Sequence, residues 1–334
     1  MSDTPPAPLI SLMTGYWISQ SIYVAAKLGL PDLVKNGPQT AEQLAAATET
    51  QPAALYRLLR ALASVGMFRE DEQQRFAMTA AAEPLCSDAV HSQRSLAIMM
   101  GEEHFACWGE LLYSVQTGRN AFEKIYGEPI FNWLSKHPEQ AKTFDEAMVA
   151  VHGRETAAML DACDFSGIGT LADVGGGNGS VLRAVLERFP SMRGMLCDLP
   201  GVVGRAQPGI AAAGMADRLQ TMPTDFFVAV PTGADAYLMR HIIHDWNDEQ
   251  ALQILRNIRR AIGSAGRLLI IENVIPPGND PGFAKLLDLN MLVIPGGKER
   301  TEGEYRKLFS AAGFRLAQIT PTRADVSVIE GRPV

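Results

Sequence analysis

The chain has 334 residues, too long for one ordinary domain, so two are expected. Hydrophobic residues make up 47% and charged residues 20%, a globular balance with enough apolar material for a core. A net charge of -7 and a pI near 5.5, with no basic cluster, exclude nucleic acid as the natural partner.

In chain order, the first hundred residues read as helices and a hairpin. Leu9 to Leu28 is long and largely apolar. The uncharged stretch from Thr4 to Ala26 has about the length of a membrane span. Ser11, Thr14, Gly15, Ser19, Gln20 and Ser21 interrupt it, so it reads as a buried helix at a subunit interface, with no membrane as partner. The N-terminus lacks the basic start of a signal peptide. Leu28-Gly29-Leu30-Pro31-Asp32 breaks the helix. Thr40 and Gln43 have capping-box spacing for the next one. Gln51-Pro52 opens a third, with Leu55, Leu58, Leu59 and Leu62 on one face and Gly66 at its end. Met67 to Thr79, with its polar tip at Glu70-Asp71-Glu72-Gln73-Gln74, reads as a hairpin. Three helices and a hairpin form a winged-helix pattern. Residues 1–90 carry six Lys/Arg against nine Asp/Glu, so packing and dimerisation suit the module better than DNA.

Residues from about 91 to 165 read as a helical connector. After Ile168 strands alternate with helices: Leu171 to Val174, Gly194 to Asp198, Leu219 to Asp225, Ala236 to Met239 and Arg267 to Ile271 as strands, Val181 to Phe189 and Glu249 to Ile262 as helices. Such alternation predicts an α/β, doubly wound, mostly parallel sheet. Phe314 to Pro321 and Asp325 to Gly331 read as two adjacent antiparallel strands. The domain reading is therefore 1–100, 101–165 and 166–334. Cys86, Cys107, Cys163 and Cys197 form no Cys-x-x-Cys pair. They read as reduced, mostly buried thiols of a cytoplasmic protein, without a structural zinc.

The first strand feeds Asp173-Val174-Gly175-Gly176-Gly177-Asn178-Gly179 and then a helix. Glycines there permit a tight turn and close ligand approach, which suits a nucleoside cofactor. Asp198, nineteen residues beyond Gly179 at the end of the next strand, is placed to accept hydrogen bonds from ribose hydroxyls. A dinucleotide fold shares these features, but a strict Gly-x-Gly-x-x-Gly reading fails because Ser180 takes the third place.

Several further blocks agree. They are Cys197-Asp198-Leu199-Pro200, Asp225-Phe226-Phe227, Arg240 with His244-Asp245-Trp246, Ile270-Ile271-Glu272, Gly296-Gly297-Lys298-Glu299-Arg300-Thr301 and Leu308 to Phe314. With the loop spacing Asp173, Gly175, Gly177, Gly179, their order resembles the caffeate/flavonoid class of S-adenosylmethionine-dependent O-methyltransferases. The N-terminal module is similar to that family's dimerisation domain. The resemblance covers most of the chain and implies a seven-stranded Rossmann-like sheet, an S-adenosylmethionine cofactor and a homodimer. It implies cofactor contacts from Asp173, Gly175, Gly177, Asp198, Asp225, Phe226 and Arg240. It also implies His244 as catalytic base, flanked by Glu272 and Glu299, and Asp245, Met148 and Met291 at the acceptor. Arg240 stands where the family often has lysine, Thr224 replaces a common glycine, and Ile294 stands where plant members often have asparagine.

The chemistry expected is methyl transfer to a hydroxyl of a small aromatic or polyketide-like metabolite. A phenol needs its proton removed, and a neutral histidine can take it. No metal is expected. His241, three residues away, is assigned a structural role. Trp108, Phe122, Phe131, Trp133, Phe144 and Met148 read first as helix core and second as walls of an acceptor pocket. The alternatives are N- or C-methylation or a reaction without net transfer on the same fold, a winged-helix regulator sensing S-adenosylmethionine, and a nicotinamide dehydrogenase.

Overall fold

The computed structural model describes residues 8–334, apart from the side chain of Arg154. The expectations for residues 1–7, including the missing signal peptide, lie outside the described residues. Two compact units emerge. One holds the chain up to Glu110 together with Ile125–Gly153, and the other holds Leu111–Lys124 with Arg154–Val334. Residues 101–165 are shared between the two.

In the first unit the expected long N-terminal helix is two, Leu9–Met13 and Gly15–Lys27, divided at Thr14. Within one chain this stretch is not buried as expected. Leu9, Ile10, Leu12, Met13, Tyr16 and Trp17 are all exposed, because only the inner face, at Ala25 and Ala26, meets the core. The Ala41–Thr48 helix starts on the expected reciprocal cap between Thr40 and Gln43. Pro52–Ser64 presents Leu55, Leu59 and Leu62 inward, and Gly66 leaves it at φ +81°. Phe68–Glu70 and Arg75–Met78 form the hairpin, joined by Gln39–Thr40 into a three-stranded sheet. Leu44, Leu59, Phe68 and Phe76 close this small core. Each such side chain contributes about 1.5–3 kcal/mol on burial.

The second unit is built on a seven-stranded sheet: β1 (Thr170–Val174), β2 (Arg193–Asp198), β3 (Leu219–Pro223), β4 (Ala236–Arg240), β5 (Arg267–Glu272), β6 (Phe314–Pro321) and β7 (Ser327–Pro333). The order is β6-β7-β5-β4-β1-β2-β3. β7 is antiparallel to both of its neighbours, and the five strands from β3 to β5 are parallel. Strand residues alternate between two cores. Leu171, Leu196, Leu238, Leu269 and Ile271 face one, and Ala172, Cys197, Tyr237, Met239, Leu268 and Ile270 face the other. Both faces are therefore covered, the condition for a doubly wound sheet.

Strand order reverses between β1 and β4, and the chain ends of such strands form the natural crevice. The glycine turn leaves β1 there and the His244 turn leaves β4. The helices Pro200–Ala212, Phe283–Val293 and Glu302–Ala312 escaped the sequence reading; prolines and glycines hide the periodicity of the first. All four cysteines are buried and free. Among the described residues no helix is long and apolar enough to cross a membrane.

Candidate active site

Two stretches of backbone at neighbouring strand ends build the site. After β1, Gly175, Gly177 and Gly179 all take left-handed φ values, +76°, +57° and +73°. A Cβ at Gly175 would come within 2.5 Å of Ile242 Cδ1, and one at Gly176 within 2.6 Å of Asp173 Oδ2. The Gly175 N–H donates to the Cys197 carbonyl at the end of β2 (2.8 Å). Asp198 caps that strand. Its Oδ2 accepts from Gly177 N (2.8 Å) and its Oδ1 from Leu199 N (2.7 Å), which fixes the carboxylate beside the loop. Burial pushes its pKa up, against those two hydrogen bonds.

Asp173 is buried, and its Oδ2 has no hydrogen-bond partner. Burial pushes this carboxyl up to about 7, and Asp198 adds to the rise while Arg240 opposes it. Arg240, at the end of β4, is itself lowered by burial and donates from Nη1 to Thr156 Oγ1 (2.9 Å). Asp225 lies exposed after β3, where its Oδ1 accepts from Phe227 N (2.9 Å). Phe226 is half-buried, 6.1 Å from the Trp246 ring, and its carbonyl accepts from Asn257 Nδ2 (2.9 Å).

The chain leaving β4 passes through His241 at φ +53°, a costly conformation for a non-glycine residue, and turns over Ile243–Asp245. His244 is buried there. Its Nδ1 lies 2.6 Å from Glu299 Oε1. A carboxylate can only accept, so Nδ1 carries a proton in either state of the ring, and Nε2 is the nitrogen that gains or loses one. Nε2 is 3.6 Å from Asp245 Oδ1. Burial alone would depress the imidazole. Asp245, Glu299 and Glu272 more than reverse this and hold it at about 10. Burial pushes Asp245 upward too, with His244 opposing and Glu272 and Glu299 assisting.

The two glutamates, expected to share one job, have different ones. Glu299 holds the ring. Glu272, fully buried at the end of β5, accepts from the His244 backbone N–H through Oε1 (3.1 Å) and from the Tyr305 hydroxyl through Oε2. Asp288 accepts from Glu299 N (2.9 Å). Met291 is buried, and its carbonyl accepts from Gly296 N (2.8 Å) and Gly297 N (3.1 Å). Met148 lies half-buried on the Pro138–Ala162 helix, in the first unit.

Two family profiles span the chain. The O-methyltransferase dimerisation domain matches residues 10–88, and the O-methyltransferase domain matches residues 108–315. The chain belongs to the O-methyltransferase family. This methyltransferase is 45% identical over 326 residues to the phenazine O-methyltransferase PhzM of Lysobacter antibioticus, covering 98% of this chain and 96% of the relative. The crystal structure of LaPhzM matches with a TM-score of 0.94 at 45% identity over 98% of both chains. The neocarzinostatin-biosynthesis O-methyltransferase NcsB1, solved with S-adenosylmethionine and 2-hydroxy-5-methyl naphthoic acid, matches with a TM-score of 0.87 at 29% identity, covering 100% of both chains.

The enzyme is an S-adenosylmethionine-dependent methyltransferase, and its residues fit that cofactor. At Gly175 and Gly176 the loop leaves no room for a Cβ, and at Gly177 the left-handed backbone faces open space, so the loop's backbone stays bare for a ligand. The orphaned Asp173 oxygen lacks a donor of the kind an ammonium provides. Asp198 presents an oriented carboxylate with spare lone pairs for ribose hydroxyls.

Sequence reasoning missed Gly297 and Arg300. Both stand in the family-like Gly-Gly-Lys-Glu-Arg-Thr block, where only the glutamate drew notice. A Cβ at Gly297 would lie 2.0 Å from the His244 carbonyl oxygen, and the Arg300 side chain is fully buried against the same turn.

Proposed function

We propose that the protein transfers a methyl group to a hydroxyl of a small aromatic or polyketide-like metabolite, with His244 as general base. The observation that carries this reading is the 2.6 Å bond between His244 Nδ1 and Glu299. It fixes the tautomer that leaves Nε2 to accept a proton, and it stabilises the imidazolium that forms. When bound, S-adenosylmethionine supplies an electrophilic methyl on a sulfonium. Asp173, Gly175, Gly177 and Asp198 are the residues proposed to hold it, with Asp225, Phe226 and Arg240 around them. The protein's own work is to remove the acceptor's proton and hold the resulting oxygen in line. Glu299 orients the ring, and Glu272 orients the backbone that carries it. Asp245, beside Nε2, and Met291 are proposed to touch the acceptor. An imidazole held near 10 is a strong base whose neutral fraction grows with pH, so turnover should climb through the alkaline range.

The test is a panel of hydroxylated aromatics, 1-hydroxyphenazine and 2-hydroxynaphthoic acid among them, read by product mass and by NMR of the methylated position. Methyl on oxygen supports the reading, and a product methylated on nitrogen or carbon refutes it. N-methylation is the second reading. A Pseudomonas aeruginosa relative, 31% identical over 323 residues, is named phenazine-1-carboxylate N-methyltransferase.

A homodimer is proposed as the working assembly. Its support is the dimerisation-domain match and the exposed Leu9–Trp17 apolar face. Light scattering giving a monomer mass at micromolar concentration would count against it. A cytoplasmic setting is proposed from the four free, buried thiols.

A further inference from the structure

Three residues of a 3-10 turn cannot hold an imidazole in place by themselves, since such a short turn satisfies few of its own backbone groups. The Ile243 carbonyl accepts within the turn from Trp246 N (3.3 Å), and one remote segment adds the further bonds to the turn's carbonyls. Lys298 N donates to the His244 carbonyl (2.8 Å). Arg300 Nη1 donates to the Ile243 carbonyl (3.0 Å), and its Nη2 to the Trp246 carbonyl (2.9 Å). The fork is closed on its other side by Asp248 Oδ1, which accepts from Nε (3.0 Å) and Nη2 (2.9 Å). Nη1 also reaches the Lys298 carbonyl (3.3 Å), so the guanidinium ties its own segment to the turn. The Arg300 side chain is 0% exposed. A buried cation is costly unless its donors are met, and here every group of the fork has a partner. Only a planar guanidinium spans two carbonyls and a carboxylate together, because an ammonium is a point donor. The opposed carboxyl is correspondingly drawn down: burial raises Asp248, and the Arg300 bonds and charge outweigh that.

We propose that Arg300 is a positioning residue for His244. Its fork fixes the carbonyls on either side of the base, so that the ring stays on Glu299. This rests on the reading of His244 as the base, but its central test does not need turnover.

Arg300→Lys keeps the charge and loses the fork. Asp248→Asn keeps the arginine and weakens its anchor. The first measurement is the downfield Nδ1 proton resonance of His244, assigned by its absence in His244→Gln. The second is calorimetric affinity for S-adenosylhomocysteine. The third is kcat and its pH profile with 1-hydroxyphenazine, or with the first acceptor methylated in the panel. Arg300→Lys should broaden or shift the resonance upfield and lower kcat about 10- to 100-fold. Its pH profile should move to lower pH, with S-adenosylhomocysteine affinity within about twofold of the parent. Asp248→Asn should move the same readouts by a smaller factor, and it carries the test alone if Arg300→Lys does not fold. An unchanged resonance and an unchanged kcat in either folded variant overturns the proposal. If no acceptor is methylated, the general-base reading fails separately, and the resonance still decides whether Arg300 holds the ring.

Discussion

The glycine turn after β1 and the histidine turn after β4 leave neighbouring, paired strands of one sheet, yet they are held in opposite ways. The glycine turn shapes itself. Three left-handed glycines set its path, Gly179 N bonds back to the Gly176 carbonyl (2.9 Å), and the adjacent strand end supplies the rest. The histidine turn borrows its shape. Glu272 holds its N–H, Lys298 and Arg300 hold its carbonyls, and Glu299 holds the ring, all from residues 28 to 57 positions away. A turn of the first kind is written mostly in its own seven residues, with the end of the next strand as its one outside support. One of the second kind exists only once the sheet has brought distant segments together. Damage to the first should therefore appear in cofactor affinity, and damage to the second in turnover.

The largest break in that comparison is His244→Ala. Loss of a positioned base should lower kcat by about 10²- to 10⁴-fold. Calorimetric affinity for S-adenosylhomocysteine should stay near that of the parent, because the glycine turn is untouched. Near-normal turnover would remove the base assignment.

Glu299→Gln comes next, with an expected kcat loss of about 10²-fold and a distinctive pH signature. Three carboxylates hold the imidazole at about 10, above its ordinary 6.5. Removing one charge lowers it, so the rising limb of kcat should move to lower pH while its plateau falls. Stability follows by linkage. A raised imidazole pKa adds stability that is fully present below about pH 6.5 and is lost as pH rises through about 10. Urea midpoints between pH 7 and 10 should therefore fall less steeply in Glu299→Gln than in the parent. Equal slopes would mean that Glu299 does not hold the proton.

Gly297→Ala and Gly175→Ala sharpen the contrast with one chemical change. At Gly297 the new methyl meets backbone, 2.0 Å from the His244 carbonyl oxygen, and backbone cannot swing away. We expect about 1–3 kcal/mol of lost stability and roughly tenfold lower kcat, with S-adenosylhomocysteine binding retained. At Gly175 the methyl meets the flexible end of Ile242, but the left-handed φ of +76° costs about 1–2 kcal/mol for any other residue. There we expect roughly tenfold weaker S-adenosylhomocysteine binding and nearly unchanged kcat at saturating cofactor. If both variants changed the same parameter, the two turns would not be independent.

The same distinction explains what the sequence revealed. The loop, Asp198 and the alternating strands were legible because their signals are local: left-handed glycines, a fixed offset to the next strand end, and period-two apolar runs. His244 stood out as a base only through family likeness; from its own residues alone a packing histidine was the better reading, the role assigned to His241 three residues earlier. In the structure each ring rests on a carboxylate, His241 through Nε2 on Glu155 (2.9 Å) and His244 through Nδ1 on Glu299 (2.6 Å). Arg300 went unread because a buried arginine has no local signature, and its partners are three backbone carbonyls, which any residue supplies, and one carboxylate 52 residues earlier. The Pro200–Ala212 helix went unread for the reverse reason, since its local signals, Pro208 and three glycines, argue against a helix that tertiary burial of Val203, Ala206 and Ile210 enforces.

The smallest expected effect tests how far the borrowed shape reaches. Thr301 follows Arg300 and caps the Glu302–Ala312 helix. Its hydroxyl accepts from Glu304 N (3.3 Å), and the Glu304 carboxylate accepts from Thr301 N (2.9 Å). Glu304 also accepts from Lys298 Nζ (2.8 Å), so the cap ties down both ends of the 298–301 segment that holds the histidine turn. Thr301→Ala should cost about 1 kcal/mol, the usual value of a lost cap, read as a lower denaturant midpoint. The helix still packs through Tyr305, Leu308 and Phe309, so it should not unfold. Because Arg300 and Glu299 keep their own partners, kcat should fall only about two- to threefold, and cofactor affinity should not change. A cap mutant that lost turnover as completely as Glu299→Gln would mean that the histidine turn is held chiefly by this helix end, with the guanidinium fork secondary.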